Sequence, residues 1–264
     1  MRFADMDHTA LVIERQLTRM ADEESEPHRH HLGQFVLVKK GVLHGNAVEQ
    51  RWLLKPGMAV WIPPQTLHSG EAYTQVDLTV LYLGPELCER FSPSIKLIDA
   101  SLLIIALCDR LAEESTRPLS EQRRGSMLQL LFEDIEELAP SNMVLPLPRD
   151  ARLKRVTEQL IARPGMRKNL TEWGREVGAT ERTLARLFRK DTGLRYTDWH
   201  NRLLLVEAYR GLAVENTNET LAQHLGFASG DSFGHWFRRV TGSSPGKVRS
   251  TLQAASTGTL EGLA

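Results

Sequence analysis

The chain has 264 residues, with 33 Lys and Arg against 33 Asp and Glu, and two cysteines. That length holds two domains with separate cores, while the lack of a membrane-length apolar run, a signal-like leader or paired cysteines argues against a membrane protein or a disulfide scaffold. The zero net charge conceals a split: residues 1–140 carry 14 basic and 21 acidic side chains, a difference of −7, and residues 141–264 carry 19 and 12, a difference of +7.

The acidic part begins with an apolar strand candidate, Leu11–Ile13, and an acidic loop, Asp22–Glu26. Short β-rich segments follow at Gln34–Val38, Val42–Ala47, Gln50–Leu54, Ala59–Ile62 and Val76–Leu83, with turn residues such as Gly41, Pro56, Gly57, Pro63 and Pro64 between them. So many brief strands predict a small barrel or sandwich whose interior is a natural pocket. Trp52, Trp61 and Tyr73 are candidate aromatic walls, or simply core.

Two histidine-bearing stretches lie within this region: His28, His30, Gln34 and Gly41, then Gly57, Pro63 and His68. In spacing they resemble the two cupin motifs. In metal-binding cupins two histidines, a glutamate and a later histidine converge on one ion. Here glutamine stands at the glutamate's place, which weakens the hold on a divalent cation, although three imidazoles still suit zinc. No metal or cofactor is therefore assigned, with His28, His30 and His68 as the candidate ligands. His28, His30, Gln34, Trp61 and His68 are the candidate lining of a small-molecule pocket.

After Pro85 the pattern turns helical. Leu97–Leu111 is apolar around most of its circumference, and Gln122–Leu138 places Leu128, Leu131, Phe132 and Ile135 on one face. Such oily helices bury themselves against their own barrel or against a twin subunit. Residues 140–149, with Pro140, Pro146 and Pro148, break the periodicity and read as a short, stiff linker. Asp150 then caps a helix running to about Ala162.

From Leu170 to Arg249 one plan is written twice. Each copy has a short helix, a glycine turn at Gly178 or Gly226, an N-cap at Thr180 or Ser229, and a second helix closed by Gly193 or Gly242. Leu184, Leu187 and Phe188 make the apolar stripe of the first reading helix, and Phe233, Trp236, Phe237 and Val240 that of the second. Tyr196–Ala213 joins the copies as one long helix. At 1.5 Å per residue it sets them about one turn of duplex apart.

These residues resemble the paired helix-turn-helix domain of the AraC family of bacterial transcription regulators. The likeness is carried by Leu170, Trp173, Gly174, Gly178, Leu184, Arg186, Phe188, Arg189, Gly193, Arg202, Leu203, Ala222, Gly226, Phe227, Phe233, Phe237, Arg238, Gly242, Pro245 and Arg249. Three positions depart from the family's habit: Gly174 replaces alanine, Asn218 an apolar residue and Val248 an aromatic. The resemblance implies a cupin-like effector domain in front and dimers that match repeated half-sites.

The predicted architecture is α+β: a cupin-like β-barrel domain over 1–85, a helical and candidate dimerisation segment over 86–139, a linker over 140–149, an all-α DNA-binding domain over 150–250 and a flexible tail over 251–264. Candidate DNA contacts in the first copy are Thr180, Arg182, Ala185, Arg186, Arg189 and Lys190. Those in the second are Asp231, Ser232, Gly234, His235, Arg238 and Arg239. Arg186 suits guanine O6 and N7, Ala185 a thymine methyl, Asp231 cytosine N4, and Arg189 and Lys190 phosphate.

The predicted function is a sequence-specific regulator in the cytoplasm. Its expected partners are promoter DNA, an unidentified small-molecule effector, a second copy of itself and RNA polymerase, with no membrane partner and no enzymatic activity. The competing readings are a metal-dependent cupin enzyme with an appended DNA-binding domain, and a non-sensing DNA-binding dimer.

Overall fold

The computed structural model describes residues 12–19, 23–89, 91–114, 116–214 and 217–257, with the backbone alone for 12–19 and 253–257. In chain order the strands are β1 (Val12–Arg19), β2 (Gly33–Lys40), β3 (Leu43–Ala47), β4 (Gln50–Leu54), β5 (Met58–Ile62), β6 (His68–Ala72), β7 (Val76–Leu83), β8 (Lys96–Asp99) and β9 (Val144–Pro146). The helices are α1 (Pro85–Cys88), α2 (Leu102–Ala112), α3 (Glu121–Glu137), α4 (Ala151–Ala162), α5 (Leu170–Val177), α6 (Glu181–Thr192), α7 (Tyr196–Ala213), α8 (Asn218–His224), α9 (Gly230–Thr241) and α10 (Pro245–Thr257). The fold class is α+β, as expected. Two compact units divide the chain: one takes residues up to Ala47 with Leu54–Ser141, the other Val48–Leu53 with Asn142–Ala254.

In the first unit an antiparallel sheet runs β1-β7-β2-β5-β8. Its register sets Phe35 opposite Trp61 and Leu81, and Gln34 opposite Ile62 and Tyr82. Because side chains alternate across a strand, these two sets lie on opposite faces. The Phe35 face packs, through Leu37, Ala59, Trp61 and Ile98, on Ile104, Leu107, Cys108 and Leu111 of α2 and on Leu128, Leu131, Phe132 and Ile135 of α3. Each such aliphatic or aromatic side chain contributes roughly 1.5–3 kcal/mol by leaving water. β3 pairs with β6, completing the antiparallel framework of this unit.

One expected helix begins late. Leu97 and Ile98 belong to β8, paired with Val60 and Ala59 of β5. Ser101 then caps α2 by accepting from the Ile104 amide. A continuous apolar run does not distinguish buried strand from buried helix, and the free edge of β5 decided it. The face that α2 buries is Ile104, Leu107, Cys108 and Leu111, while Leu102 in its first turn is 85% exposed. Both cysteines are packing residues: burial raises the Cys88 thiol and pushes Cys108 up to about 12, so neither is a ready thiolate.

The proline-rich stretch after α3 is more ordered than its composition suggests. β9 pairs with β4, setting Gln50, Arg51 and Trp52 against Pro146, Leu145 and Val144. Leu145 is buried in the core of the second unit, the Pro146 carbonyl accepts from Trp199 Nε1 at 2.7 Å, and that of Val144 accepts from Arg202 at 3.3 Å. Proline lacks an N–H but keeps its carbonyl, so an edge strand carrying Pro146 still accepts from a neighbouring helix.

The first helix-turn-helix core gathers Leu153, Val156 and Leu160 of α4, Trp173 of α5, Leu184, Leu187 and Phe188 of α6, and Trp199 and Leu203 of α7. In the second, Phe233 and Phe237 of α9 lie 5.8 and 5.5 Å from Phe227 and Tyr209 respectively. Val240, expected on this apolar stripe, is 42% exposed. α10 continues through Thr257, past the expected start of the tail; residues 258–264 lie outside the described ones.

Two of the three departures from the family pattern have a local reason. A Cβ on Gly174 would stand 2.3 Å from the Ala179 carbonyl, so the tight turn into α6 needs glycine there. Asn218 Oδ1 accepts from the Arg249 guanidinium at 2.9 Å, tying α10 to α8. That bond also gives Arg249 a bracing role inside the protein. Nothing in the structure explains Val248.

Gly226 combines a left-handed φ of 74° with close approach, a Cβ there falling 2.3 Å from the Gly165 carbonyl. Gly178 has φ 68° but open space around it. Gly226→Ala is therefore expected to cost clearly more than about 1 kcal/mol, the scale of a strained φ alone, and Gly178→Ala less. Urea unfolding midpoints of the two variants check the order.

Candidate functional site

In each copy a carboxylate ties the reading helix to its partner helix, with a capping box on one helix of the pair. In the first copy Asn169 and Glu172 form a capping box at the start of α5, and Thr171 Oγ1 donates to Glu181 Oε2 across the turn at 2.6 Å. In the second copy Ser229 and Ser232 form the box, and Glu219 Oε2 accepts from the Gly230 amide at 2.8 Å. A carboxylate thus pins the two helices of each copy together. Gly193 and Gly242 close α6 and α9 in the left-handed conformation.

The outward faces carry most of the residues singled out from the sequence. Thr180, Arg182, Arg186, Arg189 and Lys190 are exposed on the first copy, with Ala185 half-buried; Asp231, His235, Arg238 and Arg239 are exposed on the second, with Gly234 half-buried. Two hydroxyls have internal duties. Thr180 Oγ1 accepts from the Thr183 amide, and Ser232 Oγ donates to the Ser229 carbonyl while accepting from its amide. Asp231, in the first turn of α9, also complements the helix dipole.

α7 fixes the separation. Trp199 and Leu203 sit in the first core, and Tyr209 packs on Phe237 in the second. Its 18 residues correspond to about 27 Å of helix at 1.5 Å per residue. A brace unannounced by the sequence joins the copies from the other side. Arg167 donates to the carbonyls of Leu225 and Gly226 and lies 5.1 Å from the Phe227 ring centre. Only the approach of Gly165 to Gly226 places that guanidinium, and no local pattern marks it.

His200 is buried in α7, with Nε2 2.8 Å from the Pro164 carbonyl. Burial lowers its pKa from 6.5, outweighing that carbonyl bond, with the positive charge of Arg167 adding to the effect. A histidine held low stabilises the fold above its unfolded value, and the benefit is lost as acidification charges the unfolded chain. The second unit should therefore weaken as pH falls below about 6.5. Asp150, held down to about 2 chiefly by its bond to Arg152, adds nothing in that window, since it stays ionised there. Denaturant unfolding at pH 7.5 and 5.5, compared with His200→Asn, checks this: the variant should lose part of the pH dependence.

In the first unit the structure draws together His28, His30 and His68, whose candidate ligand atoms all lie within 4.8 Å of one another. His28 and His68 form an antiparallel bridge, His28 N to His68 O at 3.0 Å and the reverse at 2.9 Å. Burial lowers the pKa of His30 and brings His68 down to about 4, so both rings are neutral near pH 7. Gln34 lies beside His30, and its amide donates to Tyr82 Oη at 3.2 Å. The His30 and Tyr82 rings are 5.5 Å apart.

Trp61 does not join this group. It stacks on Phe91 at 4.1 Å in the core shared with α2 and α3, on the sheet face opposite Gln34. Tyr82 takes its place as the aromatic neighbour, a position that strand register sets and motif spacing does not reveal.

A repeated helix-turn-helix unit with exposed basic reading helices, carried on one chain with an antiparallel β-domain, defines a DNA-binding transcription regulator with a separate ligand-binding domain. The sequence matches the family described as AraC-like ligand binding domain over residues 11–154, and the helix-turn-helix domain over residues 173–251. The chain belongs to the AraC family. Among similar proteins, the HTH-type transcriptional regulator NimR of Escherichia coli is 27% identical over 89% of this chain and 86% of its own. RipA of Corynebacterium glutamicum is 33% identical over 52% of this chain and 40% of its own. ToxT from Vibrio cholerae, a solved structure, aligns with 94% of this chain and 99% of its own at 10% identity and a TM-score of 0.39.

Proposed function

We propose that α6 and α9 enter successive major grooves of promoter DNA and that a small molecule bound in the β-domain alters this grip. The observation that carries the DNA reading is the matched pair of exposed reading faces on one rigid α7. Arg182 and Arg186 serve as base readers of the first copy, with Arg189 and Lys190 on phosphate. His235 and Asp231 read in the second copy, flanked by Arg238 and Arg239. Ala185 and Gly234 let the backbone approach, while Thr180 and Ser232 act mainly as caps.

The effector site is read as the side of the sheet that bears His28, His30, Gln34, His68 and Tyr82. We take this unit as a binding module with no enzymatic turnover: among the described residues its histidine cluster includes no carboxylate to serve as acid or base. Exposed Leu102, Leu103 and Leu130 support a homodimer through α2 and α3. RNA polymerase is the natural further partner of a regulator seated on a promoter.

Among the described residues no helix is long and apolar enough to cross a membrane. We place the protein in the cytoplasm with its DNA. Footprinting of genomic fragments with the purified full chain tests the proposal. Protection of two half-turn patches on one DNA face, spaced by about 10 base pairs, is the expected result. Uniform protection without sequence preference would overturn it.

A further inference from the structure

We propose that Arg167 is a positioning residue for DNA reading: it locks the second helix-turn-helix copy against the first, so that α6 and α9 fit their two subsites at one spacing only. This rests on the reading of α6 and α9 as a pair of groove readers. α7 by itself leaves one freedom. It meets the second copy along its own length, where Tyr209 packs on Phe237, and a body held along one helix can still rock about that helix axis. A second attachment away from α7 removes the motion, and the segment between α4 and α5 supplies it.

That segment is fixed to the first copy before Arg167 reaches out of it. The Met166 amide donates to the Arg163 carbonyl at 3.1 Å, closing a turn over Pro164 and Gly165. From α7, His200 Nε2 donates to the Pro164 carbonyl at 2.8 Å and Tyr196 Oη to the Lys168 carbonyl at 2.6 Å. Met166 packs on the first core, and Asn169 then caps α5.

From this anchored base the side chain crosses to the turn between α8 and α9. Arg167 Nη2 donates to the carbonyls of Leu225 at 3.0 Å and Gly226 at 3.2 Å, and Nε to that of Gly226 at 3.3 Å. Carbonyls at a helix end lack an intrahelical donor and carry the negative end of its dipole, so the guanidinium caps α8 from outside. Its Cζ stands 5.1 Å from the Phe227 ring centre, and Phe227 lies 5.8 Å from Phe233 and 5.1 Å from Trp236, both on α9. One ring thus links Arg167 to the reading helix. Gly165 permits the approach, since a Cβ there would stand 2.6 Å from the His224 carbonyl. Arg167 is exposed, so each bond adds little stability; together they restrain orientation. Lysine is no substitute, because one ammonium cannot fork between two carbonyls and also lie flat on a ring.

The test uses the full chain and duplexes built on the footprinted site, with the distance between the two protected patches changed by roughly one or two base pairs. The parent should bind the altered duplexes more weakly than the original. Arg167→Ala should lose about 10-fold on the original, because a loosely held second reader has a lower effective concentration, and its penalty for altered spacing should shrink to within about 3-fold. Arg167→Lys should recover only part of both, and it carries the same comparison if circular dichroism finds the alanine variant unfolded. Arg163→Ala, which removes an equal charge from an exposed position of the same segment, should match the parent. Duplexes with the α9 patch scrambled should bind parent and Arg167→Ala alike. Without DNA, residual dipolar couplings of α5–α6 and α8–α9 should fit one common alignment in the parent and two separate ones in Arg167→Ala. An alanine variant that keeps the parent's spacing penalty, or whose two copies share one alignment, would overturn the assignment. So would a loss equal at every spacing with a flatter salt slope, which marks a phosphate contact. A parent indifferent to both spacing and scrambling would instead overturn the paired-reader proposal, and the couplings still decide whether Arg167 fixes the two copies.

Discussion

Trp173→Ala is expected to destabilise the DNA-binding unit by about 3–5 kcal/mol, the range for emptying a buried aromatic site. Trp173 is fully buried at the centre of the first helix-turn-helix core, against α4, α6 and α7. Its loss is more than volume. Nε1 donates to Tyr196 Oη at 3.0 Å, and Tyr196 Oη in turn donates to the Lys168 carbonyl at 2.6 Å, tying α5 to the start of α7. Lys168 Nζ lies 4.6 Å from the centre of the indole ring, an additional attraction.

A natural domain has only about 5–15 kcal/mol in hand, so this single change removes much of the margin and should abolish specific DNA binding at growth temperature. Trp173→Phe retains most of the ring and loses chiefly the hydrogen bond, for a smaller cost near 1–2 kcal/mol. Two-probe denaturant unfolding, with tryptophan fluorescence compared against far-ultraviolet dichroism, checks both. An alanine variant that melts with the parent would remove Trp173 from the role given to it.

The second large effect concerns DNA. Arg186→Ala should weaken binding to the preferred site by about 1–3 kcal/mol, roughly 5- to 150-fold in Kd, and relax the preference at one base pair. Arg189→Ala should weaken all sequences alike and flatten the slope of log K against log salt by about one. Both side chains are exposed on α6, where Leu184, Leu187 and Phe188 face the opposite way into the core. Helical spacing puts Arg186 one turn beyond Arg182 on the same exposed face and Arg189 nearer the closing Gly193. Fluorescence anisotropy with matched and mismatched duplexes at two salt concentrations separates the roles. Identical, sequence-independent losses from both variants would show that α6 grips the backbone without reading bases.

Much of this was legible in the chain because its determinants are local. Gly178, Gly193 and Gly242 sit where the left-handed conformation ends a helix, Thr180 and Ser229 cap the next one, and the apolar stripes of α6 and α9 repeat at the helical period. Capping and amphipathic spacing act over four residues or fewer, so a linear reading captures them. The joining helix spans Tyr196–Ala213 by periodicity and in the structure alike, for the same reason. The β-rich character of the first unit was equally plain from alternation and turn residues.

What the tertiary structure decided is pairing between distant segments. Leu97 and Ile98 became a strand because β5 offered an unsatisfied edge, and Val144–Pro146 became a strand because β4 and α7 supplied partners for its polar backbone. Trp61 left the expected pocket for the helix-facing core, and Tyr82 came to stand beside His30, through the register of β2 with β5 and β7. Period-two alternation determines that neighbouring residues take opposite faces, but not which face meets helices. The three histidines were visible by spacing, whereas their Nδ1 atoms meet carbonyls of Glu26, Leu32 and Thr66 that only the folded backbone brings into place.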